Sequence, residues 1–337
     1  MERVDGYDHQ PGSHCGAGAL RNVTDYYEMD YTEAACFGIG GGPAFVLYEH
    51  PDRPWVTFRT SPLWLERAFF ERLGIPHTFR AGDDFETAWA NVTGHIDDDD
   101  PPILFLDPGS LDYLAEGPGH VPPHAAAVVG YDEEAVLLSD ASVPSLQELS
   151  RESLREAWSH DRFVPIENEY LVVTNARASE EGNDAAAAGL RQAATYMLAP
   201  LEVKRDARGP GEEGLPALRS FADYLGTWGD RSDSTRPVRA ARQAIDEHGE
   251  GTAYRGLFAE SLAELGQRTG LPRELADRMD DVGSEWRTVA EHLAEIDDRE
   301  NPQPGSFEET ATFVADIADQ EESIFSALRR ELGDRGE

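Results

Sequence analysis

Over the first 175 positions apolar residues come in short runs, and beyond them they recur at helical spacing. Ile103 to Leu106 is one such run, with strand character. Ala125 to Val129 and Ala135 to Leu138 are two more, and the polar Tyr131 to Glu134 after Gly130 predicts a hairpin between them. Glu169 to Thr174 predicts a further strand. Leu63 to Leu73 fits an amphipathic helix that starts near Ser61-Pro62 and stops at Gly74, and Leu146 to Trp158 is predicted helical as well.

The small, polar stretch from Asn175 to Asp184 marks a boundary. After it the strand pattern stops. Ala185 to Leu198, Leu215 to Trp228, Arg236 to Glu247, Thr252 to Thr269, Pro272 to Ile296 and Ser306 to Leu332 all carry helical periodicity, separated by Gly, Pro or Asp. The pattern therefore predicts a mixed α+β domain over residues 1–175 and an all-α domain over 185–337, and 337 residues suit two cores better than one. Long apolar runs of about 18 residues are absent, so no membrane span is expected. The N-terminus has no basic region followed by an apolar stretch, so no secretory signal is expected and the cytoplasm is the expected compartment.

Charge changes the picture of the surface. The chain holds 65 acids against 29 bases, a net charge of −36, and Lys204 is its single lysine. Such a surface resembles that of a protein from a very salty cytoplasm, where a Debye length of roughly 3 Å at 1 M salt screens the self-repulsion. With no basic face evident, nucleic acid is not an expected partner. The run Asp97 to Asp100 reads as a solvated loop.

The chemistry centres on one of two cysteines, Cys15 and Cys36. Two cysteines in an intracellular chain argue poorly for a disulfide and cannot alone build a zinc site, so no metal and no cofactor are expected. Ala19, Leu20, Val23, Tyr26 and Tyr27 share one helical face, which starts a helix at Cys15. The positive end of that helix and its unpaired N–H groups stabilise a thiolate and can hold an oxyanion. The small residues Gly16, Ala17 and Gly18 let a substrate carbonyl approach the backbone. Taken alone, the same pattern fits a buried, inert cysteine equally well. Gln10, five residues upstream, either points an amide at the same oxyanion or faces solvent. His14 is either structural or substrate-facing. The glycines from Gly38 to Gly42 lack the strand-then-helix context of a phosphate loop, so Gly40 is read as part of a tight backbone passage beside the active site. Cys36 is read as core.

A thiol nucleophile needs a base. His124 directly precedes the first hairpin strand, and Asp140 follows the second. A hairpin centred on Asp132 sets them opposite each other, each eight residues from the centre. Directly opposed residues hold their Cβ atoms roughly 4.5–5.5 Å apart, close enough for the carboxylate to fix the imidazole tautomer.

The segment His14 to Asn22 with Tyr26-Tyr27, Glu33 and Phe37 to Phe45, together with Pro123 to Asp132 and Leu138 to Asp140, resembles the butirosin biosynthesis protein H N-terminal family. The likeness covers about residues 7–175, and Gly251 to Glu260 with Trp286 resembles the helical domain that often follows it. The resemblance implies a papain-like fold, a cysteine-bearing helix packed on an antiparallel sheet, followed by an all-α domain. It also implies an acyltransferase in which Cys15 takes the acyl group, His124 is general base and then acid, and Asp140 orients it. The implied partners are a thioester donor such as an acyl-carrier protein and a small amine acceptor. An acidic carrier would be repelled by this acidic surface except at high salt. The same signatures are similar to those of bacteriocin-leader peptidases, so hydrolysis of a peptide or amide is the second reading. A non-catalytic scaffold, with Cys15 buried and unreactive, is the third.

Overall fold

A computed structural model describes residues 1–48, 55–114, 123–160, 165–174, 182–200, 211–230, 235–247, 249–299 and 302–333. The predicted boundary from Asn175 to Asp184 lies largely outside the described residues. By contacts the chain divides into two compact units.

The first unit holds the described residues of 1–40, 61–114 and 123–185. Its helices are α1 (Cys15–Tyr26), α2 (Glu33–Gly40), α3 (Trp64–Arg72), α4 (Phe85–Asp97) and α5 (Arg151–Trp158). A seven-stranded sheet runs in the order His77–Arg80, Tyr170–Val173, Ile103–Leu106, His124–Tyr131, Ala135–Ser139, Gln147–Ser150, with Glu2–Arg3 added against His124–Tyr131. All its pairings are antiparallel. The central strands are apolar throughout, as strands buried on both faces must be; Leu104, Leu106, Ala126, Val128, Val136 and Leu138 are buried in one cluster with Trp89 and Trp158. The cysteine-bearing helix on an antiparallel sheet is the papain-like arrangement that was expected.

Three local expectations change. Residues 147–150 form a strand rather than the start of a helix, because the Ser150 hydroxyl accepts the Ser153 N–H and so starts α5 at Arg151. The acidic run after α4 is not merely solvated: Asp97 and Asp100 accept the hydroxyls of Tyr131 and Tyr27, at 2.8 and 2.7 Å. The hairpin register is the third, and it is described with the site.

The second unit holds the described residues of 41–60 and 186–333. The C-terminal region is helical, as expected, apart from the short strand Gly211–Glu213. Its helices include α6 (Gly182–Leu198, which begins in the first unit), α7 (Gly214–Thr227), α8 (Thr235–Asp246), α9 (Arg255–Thr269), α10 (Arg273–Asp297) and α11 (Pro304–Leu332). Two strands from the first half of the sequence, Pro43–Tyr48 and Trp55–Arg59, join this unit and pair with each other, and Pro43–Tyr48 pairs on its other edge with Gly211–Glu213. A buried ion pair secures them. Arg255 donates from Nε and Nη2 to Glu321 at 2.7 and 2.9 Å, while its Nη1 donates to the carbonyls of Ala44 and Phe58 at 3.1 and 3.0 Å. Trp286 donates its indole N–H to Glu321 at 3.2 Å. The signature around Gly251 to Glu260 with Trp286 is thus a structural clamp.

Candidate active site

The nucleophile helix is set from both sides of Cys15. Ahead of it, Glu33 Oε1 accepts the N–H groups of Ser13 and His14 at 2.8 and 2.7 Å. At the helix start the His14 imidazole accepts the Ala17 N–H at 3.1 Å, capping α1 from its Nδ1. Behind it, Ala17, Ala19, Leu20 and Val23 are buried. Gly18 allows a close approach: a Cβ there would stand 2.3 Å from the Ala141 Cβ. The Gly12 N–H also donates to the Ala141 carbonyl, at 2.7 Å. These two contacts hold the loop after Asp140 against the helix that begins at Cys15.

Cys15, His124 and Asp140 come together. His124 Nε2 donates to Asp140 Oδ2 at 2.7 Å, and Cys15 hydrogen-bonds to His124. Asp140 Oδ1 accepts the Ser142 N–H at 2.9 Å. Burial pulls the His124 imidazolium down, but the charges of Asp140 and Cys15 outweigh it and hold its pKa at about 10. Burial likewise pushes the Asp140 carboxyl up, and the His124 charge with three donated hydrogen bonds brings it below its ordinary range. The arrangement favours a charged His124 imidazolium beside Cys15. Cys15 and His124 are 6% and 8% exposed, whereas Cys36 is fully buried among core residues.

The hairpin register corrects the expected opposition. Ala127 pairs with Ser139 and Val128 with Leu138, then Gly130 pairs with Leu137, leaving Val129 as an extra residue. Continued one step, this register sets Asp140 opposite Ala126, two residues from His124. The pair therefore meets diagonally on one face of the sheet.

Gln10 and Gly40 are placed differently from expectation, and His14 takes the structural one of its two expected places. The Gln10 amide donates to Asp25 Oδ2 at 2.9 Å, ten residues along α1 from Cys15, so it is turned away from the reactive end. His14 is fully buried, caps α1 and packs on Phe37 at 5.1 Å, so it is structural rather than substrate-facing. Gly40 ends α2, where a Cβ would meet the Leu65 side chain at 2.7 Å; it serves the packing against α3 and not a substrate passage. Gly16 stays beside Cys15 in the first turn of α1, and a Cβ there would lie 2.0 Å from Glu66 Oε1.

Sequence reasoning missed Tyr113, whose hydroxyl donates to Asp140 Oδ2 at 3.0 Å. It also missed Glu66, a fully buried carboxylate that accepts the Leu63 N–H at the start of α3. Among the described residues no group of His, Cys, Asp or Glu has the geometry of a metal site, and no helix is long and apolar enough to cross a membrane.

Residues 14–141 match the family model of butirosin biosynthesis protein H, N-terminal, and residues 152–328 match that of the domain of unknown function DUF4872. A crystal structure described as a C39-like peptidase from Bacillus anthracis is similar at 12% identity and a TM-score of 0.37, over 52% of this chain and 98% of that one. None of the curated proteins matches the chain. The family and the Cys–His–Asp contact support a cysteine-based enzyme of papain-like type. The chain belongs to the DUF4872 family, whose model spans more than half of it, and carries ahead of that domain a region that matches the butirosin biosynthesis protein H N-terminal model.

Proposed function

We propose that the protein is a cysteine acyltransferase that carries an acyl or aminoacyl group on Cys15 and passes it to an amine. The observation that carries this reading is the continuous contact from Cys15 through His124 to Asp140. The Cys15 thiolate attacks the donor thioester carbonyl, the C–S bond to the donor breaks, and His124 gives its proton to the departing thiol. The amine then attacks the Cys15 thioester. His124 takes the amine proton, returns it to the Cys15 sulfur or keeps it as imidazolium beside the thiolate, and the amide leaves. In this reading the oxyanion is held at the first turn of α1 beside Gly16, while the Ala17 N–H is already taken by His14. Transfer is preferred to hydrolysis on the strength of the family alone.

The test uses the full chain in molar salt, as its charge of −36 calls for. Incubation with an acyl-N-acetylcysteamine thioester should add the acyl mass at Cys15, and adding a primary amine should release it as an amide faster than water releases the acid. Faster release to water would assign hydrolysis. No acyl mass on Cys15, together with no preference for Cys15 over Cys36 in iodoacetamide labelling below pH 7, would leave the scaffold reading standing.

A further inference from the structure

We infer that Tyr113 is a positioning residue that fixes the Asp140 carboxylate and limits its hold on the His124 proton. This rests on the active-site reading above. Tyr113 lies 27 positions before Asp140, just after the short helical turn Pro108–Ser110 that follows the strand Ile103–Leu106. Its hydroxyl donates to Oδ2, the same oxygen that receives His124 Nε2, while Oδ1 is taken by the Ser142 N–H. Asp140 is thus filled on both oxygens inside a fully buried environment.

Two donors on one carboxylate oxygen share its charge. While His124 is an imidazolium, that charge is matched by its neighbour. Once His124 gives its proton away, Oδ2 is left as a buried anion facing a neutral ring, and the Tyr113 hydroxyl becomes its strongest donor. Tyr113 therefore stabilises the state after proton release more than the state before it, which makes the release easier. The charged or titratable groups that act on Tyr113 are Asp140, Asp112 and Cys15, and those that act on His124 are Asp140 and Cys15. Burial and these negative groups raise the Tyr113 pKa, so its hydroxyl stays protonated and remains a donor throughout.

The experiment measures alkylation of Cys15 by iodoacetate against pH, read by mass spectrometry on the full chain in molar salt. Iodoacetate is an anion. Its rate rises as the thiolate forms and falls as the neighbouring imidazolium loses its charge, so the falling limb reports His124. In Tyr113→Phe that limb should move upward by about one pH unit, the worth of one charge-assisted hydrogen bond, and the shift should vanish when Tyr113→Phe is made on Asp140→Asn. Tyr113→Leu serves as the second variant if Tyr113→Phe does not fold. A wild-type bell with an unmoved limb in a folded variant overturns the role of Tyr113 and leaves the active site intact. Failure of both variants to fold also overturns it, the hydroxyl then being structural. Absence of any bell at Cys15 in the wild type overturns the active-site reading beneath it.

Discussion

His124 reaches Asp140 across a register offset of two residues, and the extra residue Val129 makes that offset even. Near the turn, Gly130 pairs with Leu137 and Tyr131 with Val136. Carried on without a bulge, that register would set Asp140 opposite Ala127, three residues from His124 and on the other face of the sheet. The bulge restores a shared face. Bulges next to active sites commonly re-aim a side chain in this way. Deleting Val129 should leave a folded protein, shown by an unchanged circular dichroism spectrum, in which selective alkylation of Cys15 at pH 6 is lost. Retention of that labelling would show that the bulge does not set the pair.

Gly18 controls the other approach. A methyl group there would press on Ala141, the residue after Asp140, at 2.3 Å. Gly18→Ala should cost about 1–3 kcal/mol in urea unfolding, the range for overpacking a tight contact. It should also slow Cys15 alkylation more than Gly94→Ala, a change at an open helical position.

The His124 charge links stability to pH. Its pKa is raised from 6.5 to about 10, so the stabilisation it brings is complete below pH 6.5 and is lost as pH rises toward 10. The gap in unfolding free energy between wild type and His124→Gln should therefore narrow steadily over that window. A gap that stays constant from pH 6 to 10 would contradict a charged His124.

In the second unit, Arg255 and Glu321 are both fully buried. Removing one partner strands the other charge, which typically costs about 3–5 kcal/mol. Glu321→Gln should lower the unfolding midpoint sharply, and Arg255→Met with Glu321→Leu together should recover much of the loss. A small effect of Glu321→Gln alone would mean that the carbonyls of Ala44, Phe58 and Ala253 around Arg255 Nη1 suffice.

The sequence made the helix at Cys15 legible because its buried face, Ala19, Leu20 and Val23, follows helical spacing without interruption. His124 and Asp140 were legible because each flanks an apolar run of the same hairpin. Their exact register was not, since a single extra residue such as Val129 leaves no mark in a run that is buried on both sides. Tyr113 was invisible for another reason: its partner is 27 positions away, and no local pattern separates it from the other tyrosines. Gln10 was misread because the competing acceptor, Asp25, becomes its neighbour only once α1 has formed. The strand Gln147–Ser150 reads as helix from the sequence because Leu146 and Leu149 stand three residues apart, and only the Ser150 cap sets it off from α5.

The strands Pro43–Tyr48 and Trp55–Arg59 bear on how the chain is made. Arg255, which binds the Phe58 carbonyl, is 197 residues downstream. At about 5–20 residues per second, the ribosome adds that length in roughly 10–40 s. Until Gly211–Glu213 is made, the strand Pro43–Tyr48 lacks its edge partner, and until Glu321 is made the Arg255–Glu321 pair cannot form behind the two strands. An unpaired edge of this kind is open to partners other than its own. The nascent first half therefore emerges with a hairpin that pairs within itself but whose outer partners have not yet been synthesised.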